Sequence, residues 1–199
     1  MPTARAIHRL LMLGALIAMG AGGLAMMSPA PAPAEAYDVP AASFAAAGMV
    51  GPGITVEATW PVPPDEAFRI MTDSSAWKDR FSLETRIDLA IGGRFELLFG
   101  AGRTPPVPEG QQGSETCQIL SYIPGEMLSF SWNAPPTFDE RAEHTWVVIT
   151  FSPGPESGTT TLRLRHVGFG QGGRWAEVET YFQNAWEKLL TAMGDDLAR

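Results

Sequence analysis

Cysteine is almost absent from this chain: Cys117 is the only one among 199 residues. A single thiol excludes an intrachain disulfide and a cysteine-based zinc site, and it reads as a buried, inert side chain. Basic residues are scarce too, with 14 Lys and Arg against 22 Asp and Glu for a formal charge of −8. An acidic chain without basic clusters is a poor partner for nucleic acid or an anionic membrane surface, so no nucleic-acid partner is expected. Histidine is limited to His8, His144 and His166, with no G-x-S-x-G elbow and no H-E-x-x-H pair beside them. No catalytic residue, no metal and no cofactor is therefore assigned. Glu115, Glu140 and Glu143 have the chemistry of acids or bases, but carboxylates near strand ends are ordinarily solvated.

One cofactor motif is present in letters. In HVGFGQGGRW, residues 166–175, Gly168, Gly170 and Gly173 satisfy G-x-G-x-x-G between a strand-like and a helix-like run. A dinucleotide site needs a parallel strand before the motif and another after its helix. Parallel strands covered on both faces read as continuous apolar sequence, whereas LRLRH, residues 162–166, alternates. The residues after Gly173 read as a single helix. The glycines are expected to form a flexible corner from sheet into helix.

What the sequence does have begins with a secretory layout. Arg5, His8 and Arg9 precede an apolar run over residues 10–27, and Ala34-Glu35-Ala36 offers a small-x-small cleavage site. Residues 1–36 are expected to be a signal peptide, or a signal anchor if uncut, since the run is long enough to span a bilayer. Either outcome delivers the remainder outside the cytoplasm, periplasmic or secreted, with the membrane touched only through an uncleaved leader. Residues 37–53, rich in Ala, Pro and Gly, read as a tether, and residues 54–199 form one domain of ordinary size. Nothing in the sequence indicates the oligomeric state.

Within that domain, ITVEATW (54–60) alternates as a half-buried strand. Pro64 with Asp65 and Glu66 opens a helix, and residues 74–79 predict a second helical turn. Strands are expected over 83–89, 94–99, 114–122, 127–133, 144–151 and 159–167, joined by Gly and Pro turns as antiparallel neighbours. The intervening connections over 100–113 and 134–143 are Pro-rich and lie where loops rim a site. Residues 174–197 predict a long helix whose apolar stripe runs through Tyr181 or Phe182, then Trp186, Leu189, Leu190, Met193 and Leu197.

These pieces carry a resemblance. VPPDEAF (62–68), IGGRF (91–95), PGEMLSFSW (124–132), GTTTLRLRHVGF (158–169) and YFQNAWEKLL (181–190) stand in an order similar to that of the START-like (SRPBCC, Bet v 1-like) superfamily. The closer likeness is to its branch named after the activator of heat-shock protein 90 ATPase. The leader and the long Gly/Pro connection after Phe99 depart from that pattern. The resemblance implies an α+β helix-grip fold, a curved antiparallel β-sheet wrapped around a long C-terminal α-helix. It also implies a mostly apolar cavity between the two, which in different members binds sterols, lipids, polyketides or plant hormones.

On that expectation the inward strand faces supply ligand contacts from Phe130, Trp132, Ile149, Leu164 and His166, and the helix supplies Phe182 and Trp186. His166 is the polar member of an apolar surface, either a core histidine satisfied by neighbours or a handle that orients a ligand. Trp146 falls on the opposite face. The expected partner is a small apolar or amphipathic molecule. Two alternatives stay open: a cyclase- or lyase-like enzyme on aromatic or polyketide-type compounds with His166 as acid–base group, and a protein-interaction module related to chaperone ATPase activators.

Overall fold

Strand β1, Ile54–Trp60, buries Ile54, Val56 and Trp60 while Thr55 and Glu57 face water, the period of two that its sequence predicts. The prolines beyond Trp60 end it and start helix α1, Pro64–Thr72, with Pro64 in the first turn and Asp65 and Glu66 beside the helix N-terminus. A second helix, α2, spans Ser74–Phe81. The computed structural model describes residues 53–81 and 83–199. The leader over 1–36 and all of the tether but Gly53 lie outside the described residues.

Six further strands come next: β2 Glu84–Ile87, β3 Phe95–Leu98, β4 Ile119–Ile123, β5 Met127–Asn133, β6 His144–Pro153 and β7 Thr160–Val167. Helix α3, Trp175–Leu197, closes the order. Five strands form an antiparallel sheet in the order β1-β7-β6-β5-β4. The expected single run of strands needs one correction, because β2 and β3 pair with each other as a separate two-stranded sheet. Only the bridge between Arg94 and Gln118 and a few backbone bonds, among them Phe95 N–H to the Cys117 carbonyl, tie β3 to β4. Residues 99–118 leave the sheet there, so β4 starts at Ile119 and not near residue 114.

Register puts the apolar positions in rows. Ile54, His166, Val147 and Phe130 lie side by side across four strands, and Val56, Leu164, Ile149 and Leu128 form the next row. All eight are buried and seven of them are apolar. Onto this face α3 turns Val178, Phe182, Trp186, Leu190 and Met193, spaced by three and four. Burying side chains of this size is worth about 1.5–3 kcal/mol each. The Trp60 indole donates to the Leu190 carbonyl at 2.9 Å, fixing helix to sheet at one end. This is the helix-grip architecture. Trp146, on the other face, is half exposed.

The glycine corner has a structural explanation. Gly168, Gly172 and Gly173 have positive φ, which L side chains adopt at a cost. A Cβ on Gly170 would collide with the Trp175 indole nitrogen. The letters of a phosphate loop here describe a chain reversal packed against the first residue of α3. Cys117 is buried, and burial pushes its thiol up to about 12, so it is protonated and inert.

Candidate functional site

Between sheet and helix the space divides in two. The inner part is filled: Phe95 stacks on Phe130 with centroids 4.0 Å apart, and Trp132 and Trp186 approach to 5.1 Å. The outer part, at the end of the sheet where β5 finishes, opens as two adjoining pockets of about 250 and 340 Å³. Phe99, Trp132, Tyr181 and Phe182 border both, so they form one cleft with two ends. The larger end continues along α3 past Ala185, Trp186 and Leu189 and is mostly apolar. The smaller is edged by the 100–113 loop and by Asn133, Ala134 and Arg141.

The cleft brings together three of the seven expected site residues. Trp132, Phe182 and Trp186 form its wall, whereas Phe130, Ile149, Leu164 and His166 lie deeper, fully buried, and do not border it. Phe130 is part of the packed aromatic layer, and Ile149, Leu164 and His166 lie buried with it away from the opening. Sequence reasoning passed over Phe99 and Tyr181, 43% and 47% exposed. Both are large apolar-bodied residues left open to solvent on the cleft's lip. Tyr181 sits one place off the buried stripe, and Phe99 is the last residue before the loop glycine.

His166 is a core histidine. Trp186 Nε1–H donates to its Nδ1 at 3.1 Å, and since an indole only donates, the imidazole proton must be on Nε2. That proton faces Thr145 Oγ1 at 2.6 Å, and the Thr145 hydroxyl in turn donates to the Trp132 carbonyl at 3.1 Å. Both ring nitrogens are engaged, leaving none for a ligand. Desolvation holds its pKa down to about 3, and a second ring proton would point at the Trp186 donor. The expected roles of ligand handle and acid–base group are not available to a ring held in this way. What it does is join the two cleft tryptophans through one buried relay.

The 100–113 loop is held by groups that sequence reasoning misplaced or missed. Glu115 is not solvated: it is 7% exposed and accepts the backbone N–H groups of Gly110, Gln112 and Gly113 at 2.7, 2.7 and 3.1 Å. Arg141 donates to the carbonyls of Gly110, Gly113 and Ala134 at 2.9, 2.7 and 2.5 Å. It also reaches Asn133 Oδ1 at 3.1 Å and Glu115 Oε2 at 3.3 Å. This clasp joins the loop to the end of β5 and fixes the polar rim of the cleft. Nearby, Thr116 takes φ 70°, a rare value for a β-branched residue, while its N–H donates to Glu96 Oε1 at 2.8 Å. Glu140 accepts the Arg174 N–H at 2.6 Å, satisfying a backbone donor at the start of α3. Glu143 is exposed, as a solvated carboxylate should be. Among the described residues no group of three or more His, Cys, Asp and Glu converges as a metal site would require.

Compared with known proteins, residues 61–195 match the family described as activator of Hsp90 ATPase homolog 1-like protein. The crystal structure of MLL2253 from Mesorhizobium loti has a TM-score of 0.57 at 20% identity, covering 74% of this chain and 97% of that one. PFC0360w, an Hsp90 activator from Plasmodium falciparum, gives 0.51 at 18% identity, with 69% and 89% covered. DynU16, from the dynemicin biosynthetic locus, gives 0.54 at 19% identity; 73% of this chain is covered, and it spans about half, 47%, of that protein. At these identities the likeness is one of fold. No curated protein matches the chain.

Proposed function

From the premise that this chain belongs to the family of activator of Hsp90 ATPase homolog 1-like proteins, we propose that it is an exported module that binds a small apolar or amphipathic molecule. Family membership does not carry activity with it, since function lives in sites grafted on folds. The observation behind the proposal is the cleft: a mostly apolar space of about 340 Å³ walled by Trp132, Phe182 and Trp186 and lipped by exposed Phe99 and Tyr181. Its size reaches the range of small-molecule sites, and open aromatic side chains around a concavity are what an apolar ligand covers. Export is supported by the basic, apolar and small-residue layout of residues 1–36. The enzyme alternative loses its nominated acid–base group, because His166 is committed to Trp186 and Thr145.

The test uses tryptophan fluorescence, because two indoles form the wall. Titration with the neutral probe N-phenylnaphthylamine is expected to give a saturable, one-to-one change in emission. Ala185→Trp, which fills the cleft from the helix side, is expected to weaken that binding at least about tenfold with far-UV circular dichroism unchanged. Binding that survives the filled cleft would place the ligand elsewhere and overturn the proposal.

A further inference from the structure

Among the described residues, the cleft is bordered by cations and by no carboxylate. The chain as a whole has 22 acidic and 14 basic residues, yet Arg103, Arg141 and Lys188 border the two pockets and neither Asp nor Glu does. Arg141 is used up in the loop clasp. Arg103 and Lys188 are exposed, and among the described residues neither side chain has an ion-pair or hydrogen-bond partner. The side-chain amide of Gln111, which borders the same pocket as Arg103, is likewise uncommitted among the described residues. The two ends differ in character: the end along α3 is apolar, with Lys188 at its edge, and the end beneath the loop is mixed, with more polar groups.

We propose that the ligand is a small amphipathic monocarboxylate, its head against Arg103 and Gln111 and its apolar body along Trp132, Phe182 and Trp186. This rests on the cleft being the ligand site and adds the sign of the ligand's charge. An acidic protein repels anions at long range, so a carboxylate ligand needs local cations to draw it in, and a purely apolar ligand does not. Unpaired cations above an apolar floor reverse the local sign and focus anions there. A guanidinium also offers a planar fork that matches a carboxylate. A cationic amphiphile would meet two unpaired like charges, which selects against it. Lys188 can lay its alkyl stem on the apolar wall and keep its ammonium in water, adding to the field without sealing the cleft.

Isothermal titration calorimetry on the full chain at low salt, with decanoate, decanol and decyltrimethylammonium, tests this. Decanoate is expected to bind about fivefold tighter than decanol, with decyltrimethylammonium weakest, and added salt is expected to shrink the preference. Arg103→Gln is expected to bring decanoate down to the affinity of decanol and to leave decanol unchanged. Equal affinity for decanoate and decanol in the wild type, or a preference that survives Arg103→Gln, overturns the charge assignment while leaving the cleft a ligand site. Failure of all three to bind the folded protein overturns the ligand site itself.

Discussion

Replacing His166 with leucine is expected to destabilise the domain by about 3 kcal/mol at pH 7 and to make its stability less sensitive to acid. The neutral-pH loss comes from the relay. Leucine leaves the Trp186 indole N–H without an acceptor in a site shielded from water, and orphaning a buried donor costs about 1–3 kcal/mol. Thr145 keeps its bond to the Trp132 carbonyl but loses the donor at its own oxygen. The acid effect has the opposite sign. In the folded state His166 stays neutral down to about 3, while in the unfolded chain it protonates near its ordinary 6.5. Between those values the unfolded state binds the extra proton, so stability falls as pH falls through that window. The full span corresponds to roughly 5 kcal/mol. Denaturant unfolding of both proteins from pH 7 to pH 4 is expected to bring the curves together as the wild type loses this contribution. Parallel curves would mean that His166 is not held neutral in the fold.

Replacing Arg141 with alanine is expected to cost about 3 kcal/mol, because it leaves Glu115 buried without its cation. The loss should be concentrated in the 100–113 loop, where Gly110 and Gly113 lose their donor. Trypsin cleavage after Arg103 is then expected to speed up markedly while cuts in the sheet do not. Arg141→Lys keeps a cation beside Glu115 and should lose less stability, but cleavage should still speed up, since one ammonium cannot reach carbonyls that a planar fork spans. Unchanged proteolysis in either variant would show that the loop is fixed by its own packing.

The strands and the long helix were legible because each carries its own period. Ile54–Trp60 alternates throughout, and the stripe of α3 needed only the choice of Phe182 over Tyr181 for its inner face. The G-x-G-x-x-G letters were legible as a corner, since the strand before them alternates. The start of β4 was not legible. Residues 114–117 have β-like letters, but the bond from Leu97 N–H to Ser114 Oγ and the bond from Thr116 N–H to Glu96 hold them in a turn. Those contacts join positions about twenty residues apart, and no local pattern encodes them.

The cleft lies one layer further out than the residues that the sequence pattern turns inward. Alternation identifies which strand positions face inward, and Phe130, Ile149, Leu164 and His166 do. It does not say where packing stops, which depends on how closely the aromatic rings of Phe95, Phe130, Trp132 and Trp186 fit together. The Glu115–Arg141 clasp had only an indirect signal. A long Pro/Gly connection without secondary structure of its own needs anchors from elsewhere to stay ordered; Glu115 flanks it, but Arg141 comes from the next long connection, 28 residues beyond Gly113.

Native mass spectrometry of the protein purified without detergent from the cells that make it tests most directly whether the cleft holds a small molecule. The wild type is expected to carry a reproducible added mass of one small amphiphile, removed by organic extraction and absent from Ala185→Trp. A bare protein mass in both, with no shift in thermal stability on adding decanoate or decanol, would contradict the assignment of this cleft as a ligand site.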